Sequence, residues 1–572
     1  MSLARDITTV GSATLMSRLL GFARDMGIAA LLGAGVFSDA FFAVLQIVNF
    51  FRHLLAEGAL NAAFVPMWLR IKQAEGQSGA FRFFYDVFRT MALAVVALAL
   101  IGMLFAGAVI VLLAPGFEGE RHALAADYLQ VAAPYVALAG AVAVIAAALN
   151  AEGRVTAVAI GTVAFNVVLL LVLAWIAVFA PLQPSFTAAI LAHAIVLAGL
   201  TQLVVTGIGF VRLKPIPSRA DEPGSGRVSS ARSRASSDPL CARNIKWPRW
   251  LLAIARPRRA CTRLWLASAS RTPTGASSQA RRFFALAVPG LVAAGIPQLK
   301  LIAGAMIASS SPAAVSWLYY ANRLYELPLG VASIATAAVL VPTIAAAVRD
   351  GEREGIAARQ SRGFEIALGL ALPAAVAFAV LAEPIARALF ERGAFGAGDT
   401  AAVAAALAAI CVGLPGHALE KVLGAVSSAH EDTRTPMLAA LAGLATAVAG
   451  SLALFPGYGH VGVAAAIGMS GWVGATLLGV ILRRRGWLAL DREAARRLPR
   501  IVAATLVMGL TVFAAHALLA SAFGAGGSQL LRLIALVLLV AIGLAVYLGS
   551  IELFGVARLR DLLGALRGPG KY

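Results

Sequence analysis

A chain of 572 residues that is 60% hydrophobic and only 13% charged, with a mean hydropathy of +0.83, lies far from the soluble globular average of about 25% charged residues. Its net charge of +20 does not make it a nucleic-acid binder, because apolar runs of membrane-spanning length recur from end to end. Three cysteines, Cys241, Cys261 and Cys411, form no CxxC or Cys/His pairing, so neither a disulfide framework nor a metal site is expected.

Apolar runs between polar breaks predict about fourteen helices, over 5–32, 38–70, 82–113, 123–150, 155–180, 185–211, 283–309, 313–346, 361–390, 400–428, 434–455, 461–482, 499–521 and 529–556. The first run is long, carries charges and lacks a small-residue cleavage site, so it reads as a helix rather than a signal peptide. It places Arg18 roughly 16 Å from its start at Ile7, at about 1.5 Å per residue, close to the midplane of a core about 30 Å thick. Arg18 and Asp25 share a helix face, and Arg24 points about 120° away. A central arginine costs about 2.5 to 3.5 kcal/mol on insertion scales, so several together imply a polar cavity and an anionic cargo. The second run has Asp39 near its outer end, available as a partner, and Arg52 at mid-depth. Glu57-Gly58 follows, a plausible local break. In the eighth run Arg323 and Glu326 stand at i, i+3 and can pair, with Pro328 and Gly330 offering a kink. Internal ion pairs that merely lock helices together are the structural alternative for all these charges.

The loops alternate in charge. Segments 33–38, 181–186, 309–313, 456–461 and 522–528 contain no Lys or Arg, whereas the opposite ends carry Arg70, Lys72, Arg349, Arg353, Arg359 and the run Arg483, Arg484, Arg485, Arg492, Arg496, Arg497 and Arg500. By the positive-inside rule both termini are cytoplasmic. A faint repeat at an offset of 276 residues relates Asp39 through Pro66 to Val315 through Pro342, and Asn150 to Arg154 resembles Ala429 to Arg434. The expected architecture is therefore an all-α polytopic membrane protein: two six-helix bundles related by an axis along the membrane normal, around a central cavity, plus a C-terminal helix pair. The divisions are 1–212, 213–282, 283–485 and 486–572.

Residues 213–282 stand apart, with 15 Lys and Arg against 3 Asp and Glu. Three readings stay open: a polybasic segment meeting anionic lipid head groups, a disordered linker, and out-of-frame or inserted sequence. Weaker polar candidates are His53, His193, Gln298, Lys300, Glu420 and Lys421, each weighed against a local or structural role. Trp317, Tyr319, Tyr320 and Tyr325 fit either a cargo-facing wall or an interfacial belt. No Walker loop, HExxH, GxSxG or pair of adjacent aspartates is present, so the chain is not expected to be an enzyme, to hydrolyse ATP or to hold a cofactor, and the coupling ion is left open.

Ser17-Arg18-Leu-Leu-Gly-Phe-Ala-Arg24-Asp25, Ser38-Asp39-Ala-Phe-Phe, Phe51-Arg52-His-Leu-Leu-Ala-Glu57-Gly58-Ala, Ala63-Phe-Val-Pro66, Ala114-Pro-Gly-Phe117 and Ser316-Trp-Leu-Tyr-Tyr-Ala-Asn-Arg323-Leu closely resemble the MurJ (MviN) family of lipid II flippases. The resemblance covers residues 1–212 and 283–556. It implies the fourteen-helix fold of the multidrug/oligosaccharidyl-lipid/polysaccharide exporter superfamily, with a V-shaped cavity between bundles. It also implies that Arg18, Arg24, Arg52, Arg323 and Asp39 bind substrate, with Asp25, Glu57 and Glu326 in support. The implied cargo is lipid II, an undecaprenyl-diphosphate-linked peptidoglycan precursor, carried by a monomer among the lipids of the bacterial inner membrane. Departing from the family is the long loop between the sixth and seventh helices. Two alternatives share parts of this pattern: a MATE-like drug exporter, which needs cavity carboxylates, and a flippase for another polyprenyl-diphosphate-linked glycan. A membrane-embedded glycosyl- or prenyl-transferase would need metal-binding acids, which are not found.

Overall fold

The computed structural model describes residues 2–56, 59–179, 183–213, 278–335, 340, 343, 344, 346, 353–523 and 528–557. Glu57, Pro342 and the bulk of the basic segment, 214–277, lie outside these residues. The described elements are helical: α1 Ser2–Leu32, α2 Val36–Ala56, α3 Ala59–Leu104, α4 Ala106–Leu113, α5 Glu120–Ala132, α6 Pro134–Ala151, α7 Val155–Phe179 and α8 Pro184–Val211. Then follow α9 Ser278–Ala308, α10 Ala314–Ala335, α11 Arg353–Val380, α12 Ala382–Phe390, α13 Ala397–Cys411, α14 Leu414–Ala429, α15 Arg434–Arg484, α16 Arg492–Leu518 and α17 Gln529–Leu553, with a short 3-10 turn at Ala520–Phe523. Among the described residues nine helical stretches are long and apolar enough to cross a membrane. Leu104, Phe179, Leu518 and Leu553 are exposed on their outer faces, a distribution that suits lipid and would be an aggregation surface in water. The chain is thus a polytopic, all-helical membrane protein.

Two of the helices are too long to be single crossings. At about 1.5 Å per residue, the 51 residues of α15 would extend about 76 Å, more than twice the hydrocarbon thickness. Gly459 interrupts it with φ 54° and ψ −139°, a backbone that side chains rarely adopt. The two arms fold back on each other, since a Cβ placed on Gly450 would lie 3.0 Å from that of Ala466. Gly76, at φ 73°, similarly interrupts α3, inside the polar gap expected between 70 and 82.

Three runs expected as single helices carry a local break, although at two of them, Ala133 and Val412-Gly413, the backbone stays helical and the span continues from Glu120 to Ala151 and from Ala397 to Ala429. The breaks fall at Ala133, Leu381 and Val412-Gly413, and a proline sits in the first turn of the helix that follows each: Pro134, Pro384 and Pro415. A proline has no N–H to donate to the preceding turn and is accommodated at a helix start. The run 82–113 also breaks at Phe105, where no proline explains it.

Helices α1 to α8 pack mainly among themselves, with α3 on α6 and α7 on α8 and α1; in the second half α15 packs on α9, α13 and α14. The final pair, α16 and α17, lies against α11 and α12. Contacts between halves run from α2 and α3 to α9, and from α2 to α10. A satellite core at one end gathers Phe64, Trp68, Phe83 and Phe283 from α3 and α9, and the Trp68 indole donates to Glu152 at 2.9 Å.

The two turns matched in the sequence repeat both pass through a left-handed residue, Gly153 and Glu431. In the second turn the Asp432 carboxylate accepts from the amides of Arg434 and Thr435 at 3.0 and 3.1 Å and from the Thr435 hydroxyl at 2.5 Å, and pairs with Arg485. Burial by itself would raise this carboxyl, but those donors hold it down to about 2, below the ordinary 3.8. A depressed folded value means that the stabilisation is complete above the ordinary range and vanishes as pH falls towards 2. Asp432→Asn is therefore expected to unfold more readily than the parent at pH 7 in detergent, the gap closing between about pH 4 and pH 2. A gap that persists undiminished at the acid end would show that the carboxylate charge is not its source.

Candidate functional site

The arginines are brought together where the two halves face each other. A cavity of about 600 Å³ is walled by α1, α2, α7 and α8 on one side and by α9, α10, α13, α14 and α15 on the other. Arg18, Arg24, Arg52, Arg323 and Glu326 all line it. On α1, Arg24 is 6% exposed and the adjacent Asp25 is fully buried. Asp25 Oδ1 accepts from the Nε and terminal nitrogen of Arg24 at 3.0 and 2.7 Å. Its other oxygen accepts from Arg323 Nε at 2.5 Å across the interface between halves. Tyr319 donates to the same carboxylate at 3.3 Å and stacks on Phe42 of α2 at 4.0 Å between ring centroids.

Arg323 also meets Glu326 at 2.9 Å, the i, i+3 pair that the spacing predicts, and Asn322 donates to the other oxygen of Glu326 at 2.9 Å. Gly21 faces both groups: a Cβ there would lie in ordinary contact, 3.5 Å from the Arg323 guanidinium and 3.7 Å from Asn166. Asn166 of α7 accepts from Arg24 at 3.4 Å and donates to Ser17 at 3.2 Å. It was not singled out by sequence reasoning, although a lone amide in the apolar run of α7 was the available signal.

Arg18 and Arg52 are held differently. Arg18 is exposed to the cavity, its guanidinium lying over Gly330 of α10 so closely that any Cβ there would collide with it. Arg52 touches Asn49 at 3.3 Å and His53 at 3.2 Å. Among the described residues no carboxylate is ion-paired with either. The wall between the charges is amide-rich, with Gln46, Asn49, Gln202, Gln298 and Asn322. His53, Gln298 and Lys421 join the cavity; Lys300 is buried elsewhere, and His193 is exposed, bonded to the Ala189 carbonyl of its own helix at 2.9 Å.

Asp39 is not at the cavity wall and does not partner an arginine. Its carboxylate accepts from the Ala313 amide at 2.7 Å and from the Ser316 amide and hydroxyl at 2.9 and 2.6 Å. It thereby caps the N-terminus of α10 from the opposite half, where orphan amides and the helix dipole favour an anion. The same end is closed by further hydrogen bonds, one of them between backbones. The Ala394 amide donates to Ala30 O at 2.9 Å, Tyr320 donates to Gly33 O at 3.0 Å, and the Gly116 amide donates to the Ser309 hydroxyl at 2.9 Å.

A family model described as Lipid II flippase MurJ matches residues 28–228 and 249–534. A probable lipid II flippase MurJ of Rhizobium tropici is 34% identical over 552 residues, covering 96% of this chain and 93% of that protein. A second, of Rhizobium meliloti, is 35% identical over 551 residues with the same coverage. Among solved structures, one described as lipid II flippase MurJ in an inward closed conformation superposes with a TM-score of 0.71 at 20% identity, covering 97% of this chain and 99% of that one. An inward-facing MATE family transporter of the MOP superfamily gives 0.59 at 15% identity, over 84% of this chain and 97% of its own.

Asp25 neutralises two guanidinium groups at once, so its removal leaves Arg24 without its ion-pair partner and Arg323 with Glu326 alone. Asp25→Ala is expected to cost about 3 kcal/mol, the low end of the range for breaking a buried pair because Arg323 reaches cavity water. Thermal unfolding in detergent measures it. A variant as stable as the parent would mean that cavity water already carries those charges.

Proposed function

The chain belongs to the MurJ family of lipid II flippases, within the MOP superfamily, and from that premise we propose that it carries the lipid-linked peptidoglycan precursor from the cytoplasmic to the periplasmic leaflet of the bacterial inner membrane. The observation that carries the reading is the cavity in which Arg18, Arg24, Arg52 and Arg323 converge from both halves. A diphosphate is a compact anion, and guanidinium forks bind its oxygens through paired, charge-assisted hydrogen bonds that an ammonium does not reproduce.

The two kinds of arginine suggest an order of events. Arg18 and Arg52, which pair with no carboxylate among the described residues, receive the diphosphate first. Arg24 and Arg323 already share Asp25, so the cargo competes with that carboxylate for them, and winning them loosens the tie between α1 and α10. Asp39 then acts at the closed end: releasing its cap on α10 is part of opening towards the periplasm, a role distinct from touching cargo. The undecaprenyl tail stays in lipid beside α1 and α10, as two six-helix bundles rock about the cavity and the C-terminal pair rides on the second. In this scheme fourteen crossings place both termini in the cytoplasm, with the loops poor in Lys and Arg outside.

Arg18→Ala and Arg52→Ala should each lower lipid II exposure on the outer leaflet of a flippase-depleted bacterium about 10- to 100-fold, the worth of a lost charged hydrogen bond, with protein still inserted. Lysine at either position should restore only part. Normal growth of both alanine variants would defeat the cargo assignment. Reporter fusions after Gly35, Gln183 and Gly457 should read periplasmic and those after Ala74 and Arg485 cytoplasmic; one reversed site would remove the proposed crossing pattern there.

A further inference from the structure

Inside the second half lies a group of titratable side chains that the transport scheme above leaves unused. Lys300 of α9 is 5% exposed, and His417 and Glu420 of α14 approach it from the neighbouring helix. Each of the three packs against a glycine of α15. A Cβ on Gly443 would fall 2.8 Å from Lys300 Nζ, one on Gly474 would fall 2.9 Å from the Glu420 carboxyl carbon, and one on Gly471 would collide with the His417 ring. Three glycines each opposite a polar group mean that α15 keeps space for these side chains, where ordinary helix packing would fill it.

His417 also provides a link to the cavity. Its Nδ1 lies 2.8 Å from the Tyr325 hydroxyl of α10 and 3.1 Å from the Gly413 carbonyl. A protonated Nδ1 donates to that carbonyl and leaves Tyr325 able only to accept, whereas a bare Nδ1 accepts from Tyr325. The bond to α10 therefore depends on where the proton sits, and α10 is the helix that carries Arg323 and Glu326. The charged surroundings are few. Lys300 is attracted by Glu420 and repelled by Lys421, and Lys421 also repels His417. From α10, Tyr325 meets His417, and Tyr325 itself feels Cys411 of α13, Glu420 and Glu326. Glu365 of α11 is engaged with Arg362 and Arg497, and His460 of α15 with the Ala402 carbonyl.

We propose that Lys300, His417 and Glu420 form a proton-binding site within the second half, and that its loading is coupled through Tyr325 to the arginine cavity. The step is proton binding alone: a proton from cavity water adds to the free electron pair of the Glu420 carboxylate, the Lys300 amine or the His417 ring, and leaves by the same route. No bond between heavy atoms forms or breaks. Titratable groups removed from water and placed close together exchange protons as a unit, which makes the site responsive to the pH difference across a membrane.

The coupling rests on the flippase reading, but the site itself does not, so two measurements separate them. Infrared difference spectra of the purified full-length protein in lipid, between pH 5.5 and 8.5, should contain a protonated-carboxyl band that Glu420→Gln removes. Its absence from the parent, or its survival in the variant, would overturn the proton site whatever the protein transports. In proteoliposomes carrying fluorescent lipid II at equal pH on both sides, the parent should show a pH-dependent rate that changes by up to about tenfold per unit on its steep limb, the limit for one titrating group. Glu420→Gln and Lys300→Met should flatten that profile or shift it by a unit or more. Variants that scale the rate down while keeping the parent profile would reduce the group to a structural role and overturn the coupling. If the parent translocates no lipid II, the flippase reading falls and the coupling with it, while the infrared result still decides the site.

Discussion

The cost of placing guanidinium charge at membrane depth governs the rest of the molecule. An arginine does not give up its proton, so each one taken out of bulk water needs a counter-ion, a hydrogen-bonding wall or cavity water. Asp25 answers this for two arginines on opposite halves, and in doing so fixes the approach of α1 to α10. Other features of the interface follow from that approach. Arg323 passes Gly21 to reach Asp25, Arg18 lies across α10 where Gly330 has no side chain, and Tyr319 is stacked on Phe42 with its hydroxyl on the shared carboxylate.

The closed end is built from different material. Gly33 and Gly393 have φ of 62° and 58°, and a Cβ on either would strike the backbone of the opposing segment. This close approach lets the Ala394 amide bond the Ala30 carbonyl directly across the two halves; the Tyr320 hydroxyl adds a bond to the Gly33 carbonyl, and Asp39 adds three hydrogen bonds at the start of α10. Such contacts are short and directional, and they lie beside an aromatic seam in which Phe42 meets Tyr319 and Tyr320 and Phe22 meets Phe390. Parting the halves there returns donors and acceptors to water and also uncovers apolar surface.

Much of this was legible in the sequence because charge in an apolar run has few explanations. The positions of Arg18, Arg24, Arg52 and Arg323, the pairing of Arg323 with Glu326 and the polar gaps near residues 76 and 459 could all be read from spacing. Which anion each arginine meets could not. Asp25 and Asp39 are aspartates on consecutive helices, and only the packing of α10 against α2 decides that Asp39 meets helix amides while Asp25 meets guanidinium groups. The local breaks at Ala133, Leu381 and Val412-Gly413 were missed for a related reason: hydropathy continues unbroken across them, and the proline that follows each is compatible with either a kink or a fresh start. Asn166 was passed over because a single neutral amide hardly lowers the hydropathy of α7, yet it ties Ser17 to Arg24. Glu57 and the basic segment lie outside the described residues, so their expected roles stand on sequence alone.

Among the described residues two of the arginines pair with a carboxylate and two do not, and under the proposed function this division bears on how tightly such a cavity should hold its cargo. Four unpaired guanidinium groups would bind a diphosphate strongly in one state and release it slowly, because binding that is equal in every state speeds nothing. In the proposed scheme, pairing Arg24 and Arg323 with Asp25 would lower the affinity of the cavity, because the cargo would have to displace a carboxylate. The free energy gained when it does so is available only together with a loosened α1–α10 contact. A transporter needs that differential, since a ligand shifts a conformational equilibrium only by as much as it prefers one state over the other. A buried internal anion between the halves is a simple way to supply it, and it explains why an acid sits at the centre of a site that, judged by its cargo alone, would seem to require only bases.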